Sequence, residues 1–428
     1  MTKSPRRTWL TAVGSALAGI AGLLLPVFGT AGVAQAAESG LHVSSGRIYE
    51  ANGSEFVMRG VNHAHAWYPT ETGAIADISA KGANTVRVVL SSGDRWTETS
   101  TAQVSSIIGD CKAAKVICVL EVHDTTGYGE DGAAASLAQA ADYWVGIKGA
   151  LQGQEDYVIV NIGNEPYGNS GYTAWTDATK NAIVKLRNAG IENALMVDAP
   201  NWGQDWSNTM RSNATSVFAA DPRRNTIFSI HMYGVYDTAA EVQDYLNHFV
   251  TNKLPIVVGE FGDNHSDGNP DENAIMATAR SLRVGYLGWS WSGNGSGVEY
   301  LDMVNGFDAG SLTAWGNRFF NGADGVSTTS TRATIFGGGG GGDTGGTAPN
   351  GYPYCVNSSS DPDGDGWGWE NSRSCVVRGS AADTGSGGGT APNGYPYCVN
   401  GSASDPDGDG WGWENQRSCV VRGSAADR

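Results

Sequence analysis

The sequence of 428 residues predicts an α/β fold, a (β/α)8 barrel (TIM barrel), followed by two small disulfide-stabilised β-rich modules. Three observations predict it. Eight short apolar runs alternate with amphipathic stretches, a glycine tract at 337–346 ends that region, and the string TAPNGYPYCVN then occurs twice, at Thr347 and Thr390. Fixed-period repetition and glycine-rich spacers mark tethered modules.

The eight runs are FVMRGVN from Phe56, NTVRVVL from Asn84, VICVLEV from Val116, YVIVNIG from Tyr157, ALMVDAP from Ala194, TIFSIHM from Thr226, PIVVGEF from Pro255 and GYLGWSW from Gly285. Each is short, β-branched and apolar on both faces, as a strand covered on both sides must be. Stretches such as AADYWVGIKGAL and TDATKNAIVKLRNAG between them read as helices. An open doubly wound sheet would favour a glycine-rich phosphate loop after the first strand; the chain has His63, His65 and Trp67 there. The preceding LHVSSGRIYEANGSEF reads as a hairpin that plugs the barrel's bottom.

Residues 1–36 read as a signal peptide. Lys3, Arg6 and Arg7 precede an apolar stretch and the AQA string ending at Ala36. Arg6-Arg7 also resembles a twin-arginine signal, so both export routes stay open. The segments that follow are a catalytic domain at 37–336, a linker at 337–346, a module at 347–383, a linker at 384–389 and a module at 390–428. A formal charge of −17, more negative still without the leader, argues against nucleic acid and anionic membranes as partners. An uncharged polymer is indifferent to it. The chain is expected to be secreted and monomeric.

Barrel enzymes hold their chemistry at the C-terminal strand ends. Those positions give Asn62 and His63, Arg87, His123, Asn164-Glu165, His231 and Tyr233, Glu260, and Trp289 or Trp291. Glu165 and Glu260 end the fourth and seventh runs, nearly opposite across the mouth, so their carboxyls can converge. Two carboxyls roughly 5 Å apart suit a retaining glycosidase, one as nucleophile and one as acid, then base.

The order Arg, His, Asn-Glu, His-x-Tyr, Glu and Trp on successive strands resembles glycoside hydrolase family 5, and the strings GVNHAHAWY, VDAPNWGQDW and GWSWSGNG resemble its bacterial β-mannanases. The resemblance implies an endo-β-1,4-mannanase acting on mannan or glucomannan, with an endoglucanase or a non-catalytic polysaccharide-binding barrel as the alternatives. It makes Glu165 the acid/base and Glu260 the nucleophile, held by Arg87 and Tyr233. Asn164 is expected on the sugar 2-hydroxyl, His231 beside Glu165 or the leaving sugar, and His123 on the sugar at the cleavage point. Trp291 is expected as the floor of the cleft with Trp289 as the other candidate, and Trp67 and Trp202 as stacking platforms.

No cofactor is required by this chemistry. His63, His65 and His123 lack the spacing of a zinc site. The oxygen-rich loop DNHSDGNPDEN leaves a structural calcium open, and DPDGDG in each repeat reads as a turn that also resembles the start of a calcium loop. Six cysteines in an exported chain suggest disulfides. A Cys111–Cys118 bridge is expected across the short turn that joins a helix to the third strand, with buried free thiols as the alternative.

A module this small cannot bury enough surface alone, so one bridge within each repeat is the economical connectivity, Cys355–Cys375 and Cys398–Cys419. Trp367 and Trp369, like Trp411 and Trp413, are two residues apart and share one strand face, where paired indoles can stack on a flat polysaccharide. The repeats resemble carbohydrate-binding module family 10, although members usually carry four cysteines. The resemblance implies cellulose as the ligand, bound by a tyrosine and two tryptophans: Tyr352 or Tyr354 in the first copy, Tyr395 or Tyr397 in the second.

Overall fold

The computed structural model describes residues 40–295 and 297–337 and, in the repeats, 352, 354–355, 366–370, 373–377, 380, 391–393, 395, 397–398, 404–414 and 417–427. The expected leader, residues 338–346 of the first linker and the whole second linker lie outside the described residues.

A hairpin of β1 (His42–Ser44) and β2 (Arg47–Tyr49) precedes eight parallel strands. These are β3 (Arg59–His63), β4 (Thr85–Leu90), β5 (Ile117–Val122), β6 (Val158–Asn161), β7 (Ala194–Asp198), β8 (Thr226–Met232), β9 (Ile256–Phe261) and β10 (Gly285–Gly288). They pair in chain order, and β10 returns to β3 to close the barrel. All eight predicted runs are these strands. The helices outside them are α1 (Ala74–Ala80), α2 (Thr101–Ala114), α3 (Leu137–Gly146), α4 (Lys148–Leu151), α5 (Trp175–Asn188), α6 (Thr209–Ala220), α7 (Ala239–Thr251), α8 (Glu272–Ser281), α9 (Ala314–Asn321) and α10 (Val326–Thr329). Three of them start at capping boxes, Ser100 with Gln103, Ser136 with Gln139 and Thr238 with Glu241. In each, two backbone donors that the first turn would otherwise leave unsatisfied find acceptors.

Strand alternation divides the apolar side chains into two cores. Outward residues such as Val86, Val88 and Leu120 pack under the helices. Inward residues Ile117, Val119, Ile159, Ala194, Met196, Ile227, Val257 and Leu287 fill the barrel, and the hairpin adds Leu41, Ile48 and Phe56 from below. The predicted plug is therefore present. Above this apolar filling, the same inward rows continue as Asn62, Arg87, Glu121, Asn161 and Asp198, all buried.

The expected Cys111–Cys118 bridge is absent. Both cysteines are free and buried, and their thiols touch in the layer between α2 and β5. Here they pack as small apolar side chains. Burial, and then contact with Cys118, pushes the Cys111 thiol well above its usual range.

In the second repeat β13 (Trp411–Glu414) pairs antiparallel with β14 (Arg417–Val420), and in the first β11 (Trp367–Glu370) pairs with β12 (Arg373–Val376). Both expected module disulfides form, with Cα–Cα distances of 4.8 Å for Cys355–Cys375 and 4.9 Å for Cys398–Cys419. Gly412 faces the bridge: a Cβ there would lie 2.6 Å from the Cys398 sulfur. In the second repeat the WGW string thus puts its glycine over the disulfide and the indoles of Trp411 and Trp413 on the other face.

Thiol titration of the full chain checks the free pair. Native protein is expected to react with no thiol reagent, and denatured, unreduced protein to release two thiols; none released on denaturation would restore the bridge.

Candidate active site

The polar layer is organised around Arg87, which is fully buried on β4. Its Nε donates to Asn161 Oδ1 (2.8 Å), Nη1 to Asn62 Oδ1 (2.9 Å) and Glu260 Oε1 (2.7 Å), and Nη2 to Asn164 Oδ1 (2.8 Å) and Asp198 Oδ2 (3.0 Å). Glu121 stands 4.0 Å from Nη2. Burial would lower the Arg87 pKa, but Glu121, Asp198 and Glu260 outweigh it and hold the guanidinium charged above its usual range.

Glu260, on β9, receives the Tyr233 hydroxyl at Oε2 (3.0 Å) as well as Arg87 at Oε1. Burial raises its carboxyl pKa against the pull of His231 and Arg87. The two hydrogen bonds satisfy the ionised form. Glu165 follows β6 with φ of 39°. That left-handed conformation costs a non-glycine residue about 1–2 kcal/mol. It is held by the Gly127 N–H donating to the Glu165 carbonyl (3.1 Å) and by the Glu165 N–H reaching Asp198 Oδ2 (3.4 Å).

His231 joins the two glutamates. Its Nδ1 lies 2.8 Å from Glu165 Oε1 and 3.5 Å from Glu260 Oε2, and its Nε2 lies 3.3 Å from Asp198 Oδ2. One carboxylate oxygen from each glutamate and one His231 nitrogen all lie within 4.8 Å of one another. A register shift between Ile230 and His231 aims the ring. The ring is also capped by Gly203, where a Cβ would come within 2.6 Å of it. Burial acts to lower the His231 pKa, but Glu260, Asp198 and Glu165 raise it to about 10. Asp198 moves the other way: burial acts to raise it, and Arg87 and His231 bring it to about 2.

A cleft of about 500 Å³ opens over this layer. Its lining includes Glu165, Glu260, Asn164, His123, Tyr233, Trp67 and Trp289, so most predicted site residues do converge. Trp289 stacks on His123, with ring centroids 5.6 Å apart. His123 Nδ1 pairs with Glu121 Oε1 at 2.9 Å; burial acts to lower its pKa, and Glu121 more than reverses this.

One expectation fails. Trp291 is not the floor of the cleft: it is fully buried beyond the end of β10, where the chain turns to pair with Met303 and Val304 and its indole meets Phe320 of α9. Strand parity no longer applies there, and Trp289 holds the cleft position. Trp202, half-buried on the segment after β7, lies outside the residues that line this cleft. Its ring covers Gly127, and its Nε1 donates to Glu130 Oε2 (3.3 Å).

Sequence reasoning missed Asp198, Glu121, Tyr68 and His265. The last two line the cleft, and His265 stacks on Tyr233 at 4.3 Å. His63 is buried against His65 and Phe307, and burial lowers it to about 3. In the DNHSDGNPDEN loop Asp267 accepts from Gln204, Gly234 and His265, and Asp271 caps α8. These acids satisfy local donors, and the possible calcium gains no support from them. Asp405 in the second DPDGDG accepts from the N–H groups of Gly408, Asp409 and Gly410, which makes the run a turn. The first copy's run lies outside the described residues.

Residues 49–295 match the cellulase (glycosyl hydrolase family 5) model. This chain belongs to glycosyl hydrolase family 5. Residues 344–377 and 388–421 each match a cellulose or protein binding domain. A mannan endo-1,4-beta-mannosidase of Streptomyces lividans is 74% identical over 384 residues, 89% of this chain and all of that one. A beta-mannanase from Thermomonospora fusca is 59% identical, with TM-score 0.69, over 70% of this chain and 99% of that one. Its mannohexaose complex is 58% identical, with TM-score 0.68 over the same shares.

In the second module Tyr395, Trp411 and Trp413 are 47%, 37% and 67% exposed, and Tyr395 meets Trp411 edge-on at 4.9 Å. Tyr397 is engaged instead by Asp427 and by Arg422 over its ring. Tyr352 meets Trp367 in the same way at 4.9 Å. The Trp369 side chain lies outside the described residues.

The His231 shift has a signed consequence. A folded pKa of about 10 against 6.5 means that its charged form contributes stability in full below pH 6.5, and loses that contribution as pH rises through 10. The Tm of the full chain should therefore fall more steeply between those pH values than that of His231→Asn; equal slopes in thermal scans would contradict the assignment.

Proposed function

We propose that this protein is a secreted, retaining endo-β-1,4-mannanase whose two modules hold it on cellulose. The observation that carries the reaction is the approach of a Glu165 and a Glu260 oxygen to within 4.8 Å. Inverting enzymes keep their carboxyls about 6.5–9.5 Å apart to admit a water, whereas retaining ones hold them at about 5–5.5 Å. Mannan as substrate is supported by the names of the relatives at 74% and 59% identity and by the mannohexaose bound to one of them. Secretion is supported by the leader-like residues 1–36 and by the two disulfides.

The mechanism follows from the partners of each glutamate. Ionised Glu260, aligned by Arg87 and Tyr233, attacks the anomeric carbon; the bond to the glycosidic oxygen breaks as Glu165 gives that oxygen its proton. The glycosyl ester so formed is opened by water, which Glu165, now a carboxylate, deprotonates. Water's oxygen ends on the anomeric carbon, Glu260 leaves as a carboxylate, and the two inversions restore the starting configuration. Asn164, at the cleft surface, is placed for the sugar 2-hydroxyl, and Trp289 and Trp67 for the apolar ring faces. The exposed Tyr395, Trp411 and Trp413 give the second module a stacking surface.

Glu260→Ala is expected to lower kcat on mannan by about four orders of magnitude while leaving capture on cellulose intact. Early products from wild type should be β-anomers by NMR, with faster release from mannan than from carboxymethylcellulose. Residual turnover near wild type, or α-anomers first, would sink the reading. Trp413→Ala should weaken capture on crystalline cellulose by about three- to tenfold, the loss of about 0.5–1.5 kcal/mol of aromatic contact; unchanged capture in pull-down would remove the face from the binding site.

A further inference from the structure

One buried carboxylate touches the supports of both glutamates. Asp198 ends β7 and is fully enclosed, 1% exposed, so it cannot reach a sugar. Its Oδ2 lies 3.0 Å from Arg87 Nη2, 3.3 Å from His231 Nε2 and 3.4 Å from the Glu165 backbone nitrogen, and its Oδ1 accepts from Asn161 Nδ2 (3.0 Å). Arg87 leads on to Glu260 and His231 leads on to Glu165. Each glutamate is thus two polar contacts from the same side chain.

We propose that Asp198 is a positioning residue for the double displacement: it keeps both His231 ring nitrogens protonated and keeps Arg87 paired throughout the cycle. This rests on the reading of Glu165 and Glu260 as the reacting pair.

Two physical arguments support it. The first concerns the ring. Both His231 nitrogens lie within ion-pair distance of carboxylate oxygens: Nδ1 is hydrogen-bonded to Glu165 and 3.5 Å from Glu260, and Nε2 is 3.3 Å from Asp198, a charge contact without hydrogen-bond alignment. An imidazole protonated only at Nε2 would turn its Nδ1 lone pair on ionised Glu260 and, once Glu165 has given up its proton, on that carboxylate too; the imidazolium suits both sides throughout. The charged groups around the ring are Glu165 from the end of β6, Asp198 from β7, Glu260 from β9 and Arg87 from β4 across Asp198, with the Tyr233 hydroxyl beyond. Together the carboxylates overcome burial. An imidazolium at Nδ1 stabilises Glu165 at the moment its proton leaves for the glycosidic oxygen.

The second argument concerns the intermediate. When Glu260 becomes a glycosyl ester it loses its negative charge, and the buried guanidinium loses its nearest counter-ion. A buried charge stripped of its partner is costly. Asp198, already 3.0 Å from the other terminal nitrogen, keeps Arg87 paired, so the Arg87 fork stays in register with the ester carbonyl.

The test uses the full chain with labelled histidine, His231 being assigned by the signal lost in His231→Gln. In wild type both His231 nitrogens are expected to carry protons at pH 7. In Asp198→Asn the ring should titrate at lower pH, and kcat on mannan should fall about 10- to 100-fold with KM changed by less than about twofold. The alkaline limb of kcat/KM should move to lower pH. A lower folded fraction with an unmoved pH limb would mean a merely structural role and overturn the proposal. If the variant fails to fold, wild type still decides: a single ring N–H at His231 at pH 7 overturns it. Glu165→Ala and Glu260→Ala judge the reacting pair separately, since each must abolish turnover whatever Asp198→Asn does.

Discussion

A guanidinium buried in the middle of a closed barrel is the constraint on which the site depends. Arg87 has no access to solvent, so each of its donors must find an acceptor inside the fold. The acceptors are five residues from four other strands or their ends: Asn62, Asn161, Asn164, Asp198 and Glu260. None of these could move far without leaving a buried charge partly unpaired. The planar fork of Arg87 thus fixes Glu260 and Asn164, the residue before Glu165, in one frame.

Around that frame the barrel is stacked in levels. Aliphatic side chains and the hairpin fill the bottom, the ion-paired layer lies above them, and aromatic rings wall the opening. The order is chemically useful. The dry lower filling strengthens the electrostatics of the layer above, and the ring of Trp289 stacked on His123 gives the cleft an aromatic surface beside the ion-paired layer.

Much of this was legible in the sequence because parallel strands buried on both faces leave an unmistakable apolar run, and because strand ends are the only exits toward substrate. Glu165, Glu260, His231 and Tyr233 could be read from position alone. Asp198 and Glu121 could not, although alternation from Ala194 and Met196 puts Asp198 on the inward row; a lone acid in an apolar run reads as a strand boundary. Trp291 fails for a different reason: the run from Gly285 reads as strand through Trp291, whereas the strand ends at Gly288. The Cys111–Cys118 expectation used proximity, which is right, but two thiols in an apolar layer can also rest in contact unbridged. In the modules, the glycine between two tryptophans specified the face, and only the contacts of Tyr395 and Tyr397 told the surface tyrosine from the structural one.

The segment after β7 runs through left-handed conformations at Asn201, Trp202, Gly203, Asp205 and Asn208, and sets Gly203 flat against the His231 ring. Its outer side carries Trp206, nearly half exposed. A designer grafting a different loop here would also be editing the imidazole's ceiling. Transplants that keep a glycine and its backbone path at position 203 leave His231 in place beside Glu165; the others push the ring aside for a new outer surface.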